Sequence, residues 1–157
     1  MLLAVDTNVL LDQALENADV LDALETIRER LNEARFLVPS TVIEELSRLA
    51  FRGETTGDRA AATTALQSMT AWGYEPLNII PVSRGIAEQI SFKLRARGII
   101  PEAALIGCSI LLSSDGHLLD AQKHPRFYPL LQECSVEGDR LIIAKPREIV
   151  RRFYRKR

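Results

Sequence analysis

No stretch of this 157-residue chain is apolar for anything near the ~20 residues that a bilayer-spanning helix needs, so a membrane span is not expected. Leu2–Val5 is likewise too brief for the apolar region of a signal peptide, and the protein is expected in the cytoplasm. Cysteine is nearly missing. Cys108 and Cys134 stand alone, with no Cys-x-x-Cys pair, which argues against a structural zinc and for reduced thiols in small, buried positions. Phosphate-cradling loops are missing too: no Gly-x-Gly-x-x-Gly follows the first apolar run, and neither Gly-Lys-Ser nor Gly-Lys-Thr occurs. Ordinary nucleotide binding therefore lacks support. There is no internal repeat, low-complexity tract or linker.

What is present is ordinary in amount and uneven in placement. Hydrophobic residues at 46% and charged residues at 26% suit a soluble globular domain with one sizeable core, so 1–157 is read as a single domain. The net charge of −1 conceals a split. Lys145–Arg157 holds seven basic residues and one acid, Glu148, which puts this tail at +6 and the remainder at −7. Such a tail is either the solvated face of a terminal helix or a contact for a phosphate backbone. Arg151, Arg152 and Arg155 are its candidate substrate contacts, with Phe153 and Tyr154 among them to pack or stack.

Hydrophobic periodicity alternates along the chain. Leu2–Val5 is a continuous apolar run, the pattern of a strand covered on both faces. Helical spacing follows over about 18–34, then a short strand at Phe36–Val38 closed by Pro39. Ser40 or Thr41 is placed to cap a helix to about Phe51, and Thr41 with Glu44 has capping-box spacing. Gly53 to Gly57 breaks it, and an Ala-rich helix is expected from about Arg59 to Trp72, whose end Trp72 and Tyr74 pack. Asn78–Val82 reads as a strand at a sheet edge, given Pro81. A helix from Ser83 to about Arg97 ends at Gly98, and Pro101 is suited to open the next, over about Glu102–Cys108. A strand at Ile110–Leu112, a turn at Glu137–Asp139, a strand at Leu141–Ala144 and a helix after Pro146 complete the order. Strands alternating with helices predict a three-layer α/β/α sandwich on a mainly parallel central sheet.

In an open α/β sheet the functional crevice lies beyond the carboxyl ends of the strands. Asp6 ends the first strand, and Glu44 and Glu45 lie early in the helix that follows Phe36–Val38. Asp115 comes just after Ile110–Leu112, and Glu102 opens the helix leading into that strand. Singly, each acid has a plain reading as a helix cap or an acid near a helix start. Gathered at one edge, they would repel unless a cation or protons compensated them. With no Cys or His in the set, hard oxygen ligands point to Mg²⁺ or Mn²⁺, and such a cage suits phosphodiester hydrolysis. His117, Asp120 and His124, at spacings of three and four, would share a helix face, but Pro125 limits that helix and they read as surface residues.

Four segments occur in a telling order: VDTNVLLD at 5–12, VPSTVIEEL at 38–46, EAALI at 102–106 and LLSSD at 111–115. With the elements between them, over residue 1 to about 121, they resemble the motifs of PIN-domain ribonucleases, the family that includes VapC-like toxins of bacterial toxin–antitoxin pairs. The resemblance implies an Mg²⁺- or Mn²⁺-dependent endonuclease acting on RNA, with Asp6, Glu45, Glu102 and Asp115 as metal-holding and catalytic residues. Asp6 and Asp115 would hold the ions, and Glu45 and Glu102 would bind directly or through water. Asn8 would orient Asp6 or a water, and Ser113 would orient Asp115 by a hydrogen bond. A small antitoxin and a homodimer are the protein partners it implies. The chain departs from the family pattern in four places: Glu102 stands where aspartate is usual, the helix after it is shorter, Ser113 replaces threonine, and His117 replaces an acid.

Two rivals stand beside this reading. A PIN-like module whose metal site has decayed would bind RNA or a protein without cutting, as the departures allow. A haloacid-dehalogenase-like phosphatase also places an Asp at the end of its first strand, but it needs a second acid two residues on, where this chain has Asn8.

Overall fold

The computed structural model describes residues 1–77, 96–134 and 141–155, with the backbone alone at 96–98 and 134. The elements run β1 (Leu2–Val5), α1 (Thr7–Ala14), α2 (Ala18–Arg30), β2 (Arg35–Val38), α3 (Ser40–Arg52), α4 (Thr56–Ser68) and β3 (Tyr74–Pro76). Then come α5 (Ala96–Ile106), β4 (Ile110–Leu112), α6 (Gly116–Ala121), α7 (Phe127–Cys134), β5 (Ile142–Ala144) and α8 (Pro146–Arg155). The described strands form a five-stranded sheet in the order β3-β2-β1-β4-β5, every neighbouring pair parallel. Helices flank it, giving the three-layer α/β/α sandwich. Among the described residues no helix is long and apolar enough to cross a membrane.

β1 sits at the centre, with Leu3 opposite both Phe36 and Ile110. Leu3, Ala4 and Val5 are fully buried, which is why this strand carries no polar alternation. The chain moves from β1 outward to β2 and β3, then returns to the other side of β1 as β4. The order therefore reverses between β1 and β4. That is the switch point at which such sheets open a crevice at their carboxyl edge.

The helix pair α3 and α4 makes a tight corner. Gly53 ends α3, and a Cβ there would stand 2.6 Å from the Leu49 carbonyl oxygen, so only glycine fits. The Arg59 guanidinium donates to the Gly53 carbonyl (2.6 Å) and binds α4 back onto the end of α3. Ala61, Ala62 and Ala65 are buried, and their small side chains let α4 approach closely.

Several local expectations are corrected. α4 starts at Thr56, capped by the Thr55 hydroxyl on the Asp58 N–H (3.0 Å), and ends at Ser68 rather than Trp72. Residues 69–73 turn, and Tyr74 opens β3 instead of packing a helix end. Tyr74 is 2% exposed, stands edge-on to Phe36 and donates its hydroxyl to the Gln13 side chain (2.7 Å). Pro76 is tolerated as the last residue of a strand. Gly98 and Pro101 do not divide two helices: α5 runs through both. Burial of Ile99, Ile100, Ala103 and Ala104 outweighs the unfavourable propensity of the two residues. The expected strand at 78–82, most of the helix at 83–97 and the turn at 137–139 lie outside the described residues.

Candidate active site

Asp6 leaves β1 and serves as the N-cap of α1, its Oδ1 accepting from the Thr7 N–H (2.7 Å). It is 2% exposed, so its other oxygen also needs donors. The Ser113 hydroxyl, arriving from β4, donates to Asp6 Oδ2 at 2.7 Å, and the Asn8 amide donates to the same oxygen at 3.3 Å. The Ser113 oxygen in turn accepts the Asp115 N–H (3.0 Å), while the Asn8 side-chain Oδ1 accepts the Ser114 N–H (3.1 Å). The residues after β1 and after β4 are thus laced together across the switch point. Asp115 caps α6 through Oδ1 on the His117 N–H (2.8 Å).

Ser113 therefore acts differently from the sequence-based expectation. Its hydroxyl hydrogen goes to Asp6, and it meets Asp115 through the backbone N–H instead of the carboxylate. Parallel pairing of β1 with β4, in the register Val5 opposite Leu112, sets the two strand ends level and makes this possible.

Glu45 reaches the same edge from α3. The Thr7 hydroxyl donates to Glu45 Oε2 at 2.9 Å, so adjacent residues of α1 touch Asp6 and Glu45. A cleft of about 300 Å³ opens beside them, lined by Thr7, Asn8, Glu45, Leu49 and Asp58, with Leu11 among its apolar walls. Asp58, an exposed acid in the first turn of α4, was not singled out from the sequence. Nothing local marks it, because the α3–α4 corner alone brings it to the cleft.

Glu102 is placed otherwise. It is 2% exposed, and both its oxygens are taken up by the start of α3. Oε1 accepts the Ser40 N–H (2.6 Å) and hydroxyl (2.6 Å); Oε2 accepts the Thr41 N–H (3.2 Å) and hydroxyl (2.7 Å). A carboxylate has about four acceptor positions, and these bonds fill them. The expected Thr41–Glu44 capping box is replaced by this cap from α5. Its charge also raises the neighbouring Cys108 thiol, which burial chiefly pushes up to about 12.

The basic residues of α8 lie elsewhere. This helix begins beyond the carboxyl end of β5 and runs back along α2. Arg152 lines an apolar pocket of about 410 Å³ with Met1, Leu31, Ser109, Ile142 and Phe153, at the amino ends of the strands. Arg151 and Arg155 pair with Glu148 at 3.5 and 3.7 Å. The structure does not bring these three arginines to the acids. Nor do His117, Asp120 and His124 share a helix face: α6 stops at Ala121, Asp120 pairs with Lys123 (3.5 Å), and His124 Nδ1 accepts the Arg126 N–H (3.2 Å).

The donors at the crevice are oxygen atoms of Asp6, Asp115 and Glu45, the chemistry of a hard cation. Among the described residues no three Asp, Glu, His or Cys side chains form a ready-made cage. Mg²⁺ keeps several waters and takes as few as one or two carboxylates from a protein, so it does not require a ready-made cage. The chain matches no protein-family model and no curated protein.

Proposed function

We propose that the protein is a PIN-like endoribonuclease that hydrolyses RNA phosphodiester bonds with Mg²⁺ or Mn²⁺. One observation carries the reading: the Ser113 hydroxyl bonds both the Asp6 carboxylate and the Asp115 backbone N–H at the switch point, with Glu45 tied to α1 through Thr7. Asp6 and Asp115 would hold the ion, and Glu45 would meet it directly or through a water. Magnesium or manganese bound there supplies an acidified water and counter-charge for the scissile phosphate. Asn8 and Ser113 keep Asp6 Oδ2 aimed, and Thr7 does the same for Glu45. The cleft beside Glu45 offers room for the nucleotide next to the scissile bond, its leucines facing a base more readily than a phosphate. A small antitoxin and a second copy of the chain remain proposed partners on the resemblance alone.

Glu102 favours a second reading. An acid spent on capping α3 leaves fewer ligands than the family pattern, as in a module that binds RNA without cutting it. The test is cleavage of single-stranded RNA by the purified chain with and without Mn²⁺, compared with Asp6→Asn and Asp115→Asn. The ion supplies several kcal/mol, so each variant is expected to lose activity by about 100-fold or more. Equal cleavage by wild type and both variants would sink the nuclease. Retention of RNA with no cleavage by any of them establishes the binding module instead.

A further inference from the structure

We infer that Glu102 is a positioning residue: its carboxylate locks the start of α3 and so sets where Glu45 meets the crevice. This rests on the metal-dependent reading of the same site. α3 has no cap of its own, because its N-cap residue is Pro39, whose side chain makes no hydrogen bond. A helix start without partners leaves N–H groups unsatisfied and carries partial positive charge. Glu102, 62 residues away from Ser40, supplies the anion and takes four donors from two consecutive residues. Its own backbone is held by Ile99, Ile100, Ala103 and Ala104, all buried in the core.

The geometry transmits this to the site. Glu45 is four residues after Thr41, one turn along the same face of α3. Thr7 fixes the far end of that turn by its bond to Glu45, and Glu102 fixes the near end. The helix start is therefore pinned in rotation and height between α1 and α5. Losing the Glu102 bonds frees the first turn, and Glu45 swings with it.

The experiment titrates Mn²⁺ alone into the full chain, reading affinity and the number of bound ions by calorimetry, with circular dichroism to confirm folding. Glu102→Gln and the double variant Ser40→Ala/Thr41→Ala interrupt the lock from opposite sides. The second keeps the Glu102 carboxylate and its two backbone donors, so it remains informative if the first fails to fold. Each is expected to bind the same number of ions as wild type with affinity weakened by about 10-fold. Combining them should cost no more than either alone, and both effects should vanish on a Glu45→Gln background. Loss of an ion in Glu102→Gln, losses that multiply in full, or no change at all would overturn the inference and leave the nuclease standing. A wild-type chain that takes up no Mn²⁺ would instead overturn the metal-dependent reading itself.

Discussion

Asp6 and Glu102 are both buried carboxylates, each 2% exposed and each set against the start of a helix, yet they are held in different ways. Asp6 caps the helix that directly follows it, and its second oxygen meets two side chains, Ser113 and Asn8. Glu102 caps a helix from another part of the chain, and both its oxygens meet backbone and hydroxyl donors of Ser40 and Thr41. The side-chain donors at Asp6 Oδ2 can rotate when an ion arrives, whereas each Glu102 oxygen also accepts an N–H fixed at a helix start, which cannot. The half of the edge built from β1 and β4 is thus suited to exchange partners. The half built from α3 and α5 is suited to stay still.

The sharpest way to break that division is to compare activities. Asp6→Asn should abolish most Mn²⁺-dependent cleavage, by about 100-fold or more, while the melting temperature changes far less than the rate. Next in size is the stability of the rigid half. Glu102→Ala leaves the Ser40 and Thr41 donors without their acceptor and is expected to cost roughly 3 kcal/mol in chemical denaturation, because buried donors left unmade lose their full desolvation energy. A loss below about 1 kcal/mol would show that water replaces the carboxylate easily and that the two halves do not differ.

Ser113→Ala probes the adaptable half. It removes a donor to Asp6 and an acceptor for Asp115, and should weaken Mn²⁺ binding by about 10-fold with a smaller stability loss than Glu102→Ala. The Cys108 thiol supplies a pH readout of the rigid half. Its ordinary value is 9.0, and burial, helped by the Glu102 charge, pushes it up to about 12 in the fold. The unfolded chain therefore ionises this group first. Its contribution to stability is complete below pH 9 and drains away as pH rises from 9 towards 12; Cys108→Ala should flatten that decline. The smallest effect belongs to Arg35 and Glu75, paired at 2.8 Å across β2 and β3 but solvent-exposed. The guanidinium holds Glu75 below the usual carboxylate range, yet Glu75→Gln should leave the melting temperature within experimental scatter.

The parts of this design that were visible in the sequence are those written locally. Leu2–Val5, Phe36–Val38 and Ile110–Leu112 are apolar runs bounded by polar residues, and the structure places β1 over Leu2–Val5, β2 over Arg35–Val38 and β4 over Ile110–Leu112. Once those strands are parallel neighbours, Asp6 and Asp115 fall at one edge. Tyr74–Pro76 was hidden because a three-residue strand ending in Pro has too little pattern to announce itself. The continuity of α5 was hidden because Gly98 and Pro101 signal a break that only the buried faces of Ile99 and Ile100 overrule. The role of Glu102 was hidden for a different reason. Ser40 and Thr41 look able to cap their own helix, and no spacing rule reports that an acid 62 residues away does it for them.

Ser113 lies 107 residues beyond Asp6, and their contact closes the crevice. A ribosome delivers the chain from its amino end, so Asp6 and Glu45 are already in solution while Ser113 and Asp115 are still being translated. The two sides of the edge can meet only late in synthesis. A product that aborts before Ser113 carries Asp6 and Glu45 but neither Ser113 nor Asp115, so the hydrogen bonds that lace the two strand ends together cannot form in it.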